Sequence, residues 1–267
     1  MLDRQRLIPR TRDDLIRLGL RRDGGYVVPA ATVERTAVLL SLGVRRDWSF
    51  EKAFVAANAA VRVIGVDPSV DPRFFARRLK TGVVGLIKSG GFNRRMRKHH
   101  WVMLRNAIDY FWFFVLRHRH IAVSVADRPG PGHMTVGSLV TLAAETEHRI
   151  FLKMDIEGSE YRIVPDIVEH HASINCVVAE FHRVGQRDTL FNEAVATLQR
   201  RFEIVHLHGN NYRPYDTAHD FPDTVELTLV NRALMAAPVV ASTCDYPRAG
   251  LDFPNNPSLP DYRIRFG

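Results

Sequence analysis

The strongest constraint on this chain is a series of short apolar runs, each closed abruptly by glycine or a polar residue. Residues 37–42 (AVLLSL) stop at Gly43, 61–66 at Asp67, and 149–154 at Asp155. Residues 121–125 run to Asp127, 174–181 to His182 and 202–207 to His208, and 225–230 is a seventh run. Runs this short, apolar on both faces, read as strands buried on both sides of a sheet. Helical periodicity fills the gaps at 48–60, 136–146, 160–171 and 189–201, and most of 71–119 is helical in pattern with a break at Ser89-Gly90-Gly91. Strands alternating with helices make an α/β chain with a doubly wound sheet. Ahead of it, 13–20 reads as a short amphipathic helix and Gly24-Gly25 as a tight turn. The Pro- and Asn-rich end reads as irregular.

In such a sheet ligands bind outside the carboxyl ends of the strands, where the strand order reverses. The residues just past each run are therefore the informative ones. They are Gly43, Asp67, Asp127, Asp155 with Glu157, Glu180 with His182, and His208 with Asn210. A glycine after the first strand lets backbone approach a ligand closely. An acid after the second can grip both hydroxyls of a ribose. No G-x-G-x-x-G follows Gly43, so a nucleoside without a pyrophosphate is favoured over a dinucleotide. In LKMDIEGSE (152–160), three acids at one strand end need a partner, whether an ammonium group, a metal or a substrate hydroxyl. The helix macrodipole alone accounts for Glu160. Glu180 and His182 share a face of their strand, so His182 is either a general base beside a carboxylate or a structural hydrogen bonder. His206 and His208 also share a face, and His with nearby acids is a metal-binding chemistry.

Composition narrows the class. With 46% hydrophobic and 25% charged residues, the chain is neither disordered nor fibrous. Two cysteines, Cys176 and Cys244, are too few for a disulfide framework or a cysteine zinc site. The start, MLDRQRLIPR, lacks the apolar stretch of a secretory signal, and the longest apolar run, 110–116, is far too short to span a bilayer. A soluble, reducing, cytoplasmic setting is expected, with peripheral contact at the inner membrane face left open. The net charge of +8 is unevenly placed. Residues 73–120 hold twelve Lys and Arg against one acid, Asp109, which is +11 and leaves −3 for the rest.

The blocks DGGYVVP, SLGVRRDWSFE, VIGVDPS, LKMDIEGSE, VVAEFH and HLHGNNY, between about residues 18 and 231, resemble the FkbM-type S-adenosylmethionine-dependent methyltransferases. LKMDIEGSE is the specific part. The resemblance implies a class I methyltransferase (Rossmann-like) fold, with a seven-stranded sheet whose last strand is antiparallel. It implies methyl transfer to a hydroxyl oxygen of a sugar, glycan or secondary metabolite, with a lipid-linked acceptor one option. The departure is GVRRD, which stands where methyltransferases commonly carry an acid-Gly-x-Gly turn. Residues 1–36 are then a lead, 37–235 the methyltransferase domain with 73–120 as a basic helical insertion, and 236–267 a tail packed on it. S-adenosylmethionine is assigned to Gly43, Asp47, Asp67, Pro68, Ala126, Asp127 and Asp155. His182, Asp155 and Glu157 are the candidate catalytic residues, with His182 the leading base. Glu180, His208 and Asn210 are assigned to the acceptor. A divalent metal, if used, falls to Asp155, His182 and His208.

The basic block interleaves its cations with Trp101, Tyr110, Phe111, Trp112, Phe113 and Phe114. It reads as a platform for an anionic membrane, as a nucleic-acid footprint, which is the less favoured, or as a solvated insertion whose aromatics pack on the domain or a second subunit. An RNA-directed methyltransferase, and a degenerate fold that only binds through the basic face, are the alternatives to the O-methyltransferase.

Overall fold

The computed structural model describes residues 1–88, 94–145, 147–237 and 239–266. A hairpin of β1 (Leu15–Gly19) and β2 (Gly25–Pro29) leads into α1 (Ala30–Arg35), β3 (Val38–Leu42), α2 (Ser49–Ala57) and β4 (Arg62–Val66). Two long helices follow, α3 (Pro72–Lys88) and α4 (Arg94–Tyr110). One π turn (Phe111–Val115) then leads into β5 (Arg119–Ile121). The short pair β6 (Ser124–Val125) and β7 (His133–Met134) precedes α5 (Val136–Ala143), β8 (Ile150–Met154), α6 (Glu160–Glu169) and β9 (Ile174–His182). The chain then forms α7 (Asp188–Leu198), β10 (Phe202–Gly209), a ladder of β11 (Tyr215–Asp216) with β12 (Phe221–Pro222), and β13 (Thr224–Asn231).

Seven strands form one sheet in the order β10-β13-β9-β8-β3-β4-β5. All are parallel except β13, which inserts antiparallel between β9 and β10. This is the doubly wound, Rossmann-like sheet that was expected, seven-stranded with its last strand antiparallel. The order reverses at β3, which pairs with β4 on one side and β8 on the other. The crevice therefore opens above Leu42 and Met154, the last residues of those strands.

The strands form where expected because both faces of the sheet are covered. One face packs Leu40, Leu152, Val177 and Leu227 with α5, α6 and α7. The other packs Leu39, Phe151 and Val178 with the hairpin, α2 and the root of the two long helices. That root is aromatic. Trp48 meets Phe75, Tyr110 and Phe114 edge-on, and Phe75 stacks on Tyr110 at 3.9 Å. Residues 239–266 return along β10 and β13, where Asn255 donates to Glu226 and Asn211 to the Asn256, Leu259 and Pro260 carbonyls.

Three local expectations are corrected. Residues 13–20 are not helical: 15–19 pair antiparallel with 25–29, because the Gly24–Gly25 turn supplies a partner strand and half-burial on a sheet overrides helical spacing. The third strand of the sheet is 119–121; Ser124 and Val125 have left it to pair with β7. The helix over 136–146 ends at Ala143, where Ala144 takes a left-handed turn at φ 55°. The break at 89–91 lies outside the described residues.

Candidate active site

The crevice begins at Gly43, whose φ of +85° and position leave no room for a side chain. A Cβ there would lie 1.7 Å from the Asp155 carbonyl oxygen. One strand along, Asp67 is nearly buried, and its carboxylate is fixed by three donors: the Arg45 amide at 2.7 Å, the Ser69 amide at 2.6 Å and the Ser69 hydroxyl at 2.5 Å. A carboxylate has about four lone-pair sites, so acceptor capacity remains. Gly43, Asp67, Pro68, Val66, Val123, Val125 and Ile156 surround a cleft of about 200 Å³. Arg45, Asp155 and Glu157 also line it, and its apolar walls beside the fixed Asp67 carboxylate suit a nucleoside.

Across the sheet, β8 delivers Asp155 and β9 delivers Glu180 and His182. His182 Nδ1 lies 2.7 Å from Glu160 Oε1, at the first residue of α6, and Glu160 is fully buried. The same Glu160 oxygen accepts from the Gly158 amide at 2.8 Å, and the Tyr161 hydroxyl donates to the His182 carbonyl at 2.7 Å. These contacts fix the ring. Nε2 is left facing the cavity, 3.9 Å from Asp155 Oδ1 and 4.0 Å from Glu180 Oε1. Burial disfavours the imidazolium, but the Glu160 hydrogen bond and charge, then Asp155 and Glu157, outweigh it and raise the His182 pKa.

That cavity holds about 360 Å³ between Asp23, Arg45, Asp155, Glu157, Glu180, His182, Asn210, Tyr212 and Arg213. It adjoins the nucleoside-sized cleft, because Arg45, Asp155 and Glu157 line both. Burial raises the Asp155 carboxyl pKa, although Lys153 and His182 pull it down. Burial, then the charges of Asp155 and Glu226, push Glu180 well above the carboxylate range, against a 2.6 Å hydrogen bond from Asn210 Nδ2. Lys153 is buried below Asp155, 3.6 Å from Glu51 Oε1 and 3.3 Å from the Gly43 carbonyl oxygen. Glu157 carries a left-handed backbone, φ 55°, which swings its carboxylate toward Arg45 at 3.0 Å and Arg213 at 3.8 Å.

Of the residues singled out from sequence, Gly43, Asp67, Pro68, Asp155, Glu157, Glu180, His182 and Asn210 line these two adjoining spaces. Asp47 lies outside both. It is exposed and accepts from the Ser49 amide at the start of α2. The cleft wall near β6 is Val123, Ser124 and Val125, not Ala126 and Asp127; Asp127 points into solvent because the chain has already turned toward β7. His208 is also displaced from the acceptor side. It is buried beneath the C-terminal segment, with Nε2 3.0 Å from Asp261 and Nδ1 3.5 Å from Glu226. Burial opposes its charge, yet Asp261 and Glu226 push its pKa up to about 10. A metal set of Asp155, His182 and His208 is therefore not assembled, whereas Asp155, Glu157 and His182 have ligand atoms within 4.8 Å of one another. Sequence reasoning gave no role to Asp23, Arg45 and Tyr212, although they lie in the blocks DGGYVVP, SLGVRRDWSFE and HLHGNNY, nor to Arg213 just beyond the last; loops bring all four to the cavity. It also gave Glu160 to the helix dipole, since a buried and an exposed acid at a helix start look alike in sequence.

No protein-family model matches the chain, and no curated protein matches it. Among solved structures it is similar to fibrillarin in its complex with Nop5p, at 10% identity over 74% of this chain and 73% of that one, with a TM-score of 0.39. It is similar to an rRNA methylase from Streptococcus thermophilus at 9% identity, over 76% and 90% of the two chains, TM-score 0.38. The precorrin-6y C5,15-methyltransferase from Geobacter metallireducens gives 11% identity, 76% and 87% coverage, and a TM-score of 0.36. Likeness at this level carries nothing about chemistry, which has to come from the residues of the two cavities.

Proposed function

We propose that this protein is an S-adenosylmethionine-dependent methyltransferase acting on a hydroxyl oxygen of a sugar, glycan or secondary metabolite. The observation that carries the reading is the Glu160–His182 pair, whose free Nε2 faces an acid-lined cavity beside a nucleoside-sized cleft. The cleft residues fit the cofactor. Gly43 presents bare backbone, the fixed Asp67 carboxylate would take a ribose, Val66, Val123 and Val125 would give apolar surface to a base, and Asp155 would take the positive end. When bound, S-adenosylmethionine supplies an already activated methyl group on a positive sulfur.

The chain's own residues then position and deprotonate. Neutral His182, with Nδ1–H donated to Glu160, would accept the acceptor hydroxyl's proton at Nε2 as that oxygen takes the methyl group the cofactor would supply, the neutral thioether being the leaving group. Glu160 then balances the imidazolium. Asn210 holds Glu180 through one oxygen, leaving the other to bond the acceptor. Positioning supplies much of the acceleration and the base about 10²–10⁴-fold. Asp155, Glu157 and His182 would also serve a divalent cation. Holding one would occupy Nε2 and remove the base, so the metal-free route is the one the His182 geometry favours.

The test is transfer of labelled methyl to a panel of sugars, lipid-linked glycans and RNA, with wild type and His182→Ala. The expected result is labelling of a hydroxylated small molecule or glycan, with kcat lowered about 10²–10⁴-fold in the variant and cofactor affinity little changed. Labelling of RNA alone would replace the acceptor assignment, and near-normal kcat in the variant would remove the base.

A further inference from the structure

The two long helices carry a surface that the chemistry does not use. On α4 the buried positions are Met103, Ala107 and Tyr110. On the opposite side, at spacings of three and four, stand Arg94, Arg97, Lys98, Trp101, Arg105 and Ile108, all exposed. The π turn carries exposed Trp112 and Val115 beyond them. Trp101 and Trp112 are 56% and 54% exposed, whereas the third tryptophan, Trp48, is 3% exposed. Helix α3 repeats the pattern with Arg73, Arg77, Lys80, Val84 and Ile87, all exposed, and Ile87 is 75% exposed. Arg117 lies over the Trp112 ring, 4.7 Å from its centre. The one acid of the segment, Asp109, is taken by Lys52.

We infer that this helical pair is a docking surface for an anionic lipid bilayer, with Trp101 and Trp112 entering the headgroup region and the Arg and Lys residues bonding lipid phosphates. Three observations select that occupant. A second copy would bring a segment of +11 against +11. A nucleic acid would satisfy the cations but leave Val84, Ile87, Ile108 and Val115 against phosphate and sugar, where they gain little. A bilayer boundary satisfies both, since indole rings and aliphatic side chains enter the acyl edge while long cationic side chains reach the headgroups. No described helix is long and apolar enough to cross a membrane, so the contact is peripheral. The inference does not depend on the methyl-transfer reading, and its test involves no turnover.

The experiment is co-sedimentation of the full chain with vesicles of phosphatidylcholine alone or mixed with phosphatidylglycerol, alongside tryptophan emission. Binding to the anionic vesicles, weakened by salt and accompanied by a blue shift, is expected. Each cation removed by Arg94→Gln, Arg97→Gln or Lys98→Gln should weaken partition about fivefold. Trp101→Ala with Trp112→Ala should weaken it about tenfold or more and abolish the blue shift. Absence of anionic-vesicle binding by wild type at low salt would overturn the inference. So would binding to anionic vesicles without a blue shift, equalled by single-stranded RNA, which would assign the surface to nucleic acid.

Discussion

At the scale of the residue, the decisive contact is the 2.7 Å bond between Glu160 and His182. It ties one ring nitrogen to the protein and leaves the other facing the cavity. Because Glu160 raises the His182 pKa, this imidazole becomes neutral at higher pH than an unperturbed one, and in the proposed mechanism only the neutral form is the base. Activity should therefore rise with pH along a limb shifted upward. Glu160→Gln keeps an acceptor for Nδ1–H but removes the charge, so the limb should move to lower pH as kcat falls about tenfold or more. A pH–kcat profile of the variant checks this, and an unmoved limb would separate Glu160 from the base. That His182 and Glu180 share a face was legible from their parity. That Glu160 reaches back to His182 was not, because it depends on how α6 seats against the end of β9.

At the scale of the element, β10 and the C-terminal segment form a latch through His208. Its folded pKa of about 10 stands above the ordinary unfolded value near 6.5. The latch therefore contributes its full stability below about pH 6.5 and loses it as pH rises through about 10. Denaturant unfolding between pH 6.5 and 10 should show stability falling with pH in wild type and a flatter dependence in His208→Gln. Equal slopes would mean that His208 is neutral in the fold. Period-two alternation placed His206 and His208 on one face but could not say what covers it. The cover comes from Asp252 and Asp261, roughly fifty residues later, and such long-range closure has no local signal. Six of the seven sheet strands were legible for the opposite reason, since burial on both faces demands apolar runs; β5 was misplaced because Arg119-His120-Ile121 is a half-exposed edge strand with no apolar run. β1 was not legible either, because five half-buried residues fit a helical spacing as well as a strand.

At the scale of the molecule, charge is divided by task. The body outside 73–120 carries −3, with carboxylates gathered at the strand ends, and the stretch 73–120, which holds the helical pair, carries +11. The acids belong to the crevice and the cations to an outward face, so a net charge of +8 describes neither. The sheet order joins the tasks, since the insertion leaves from the end of β4, where Asp67 stands, and returns through β5. The most direct test of the central claim is calorimetric titration of S-adenosylmethionine into wild type and Asp67→Ala. One-to-one binding, weakened about a hundredfold by the substitution as charged hydrogen bonds to the ribose are lost, is the expected result. No binding by the wild-type protein, or equal affinity in the two, would contradict it.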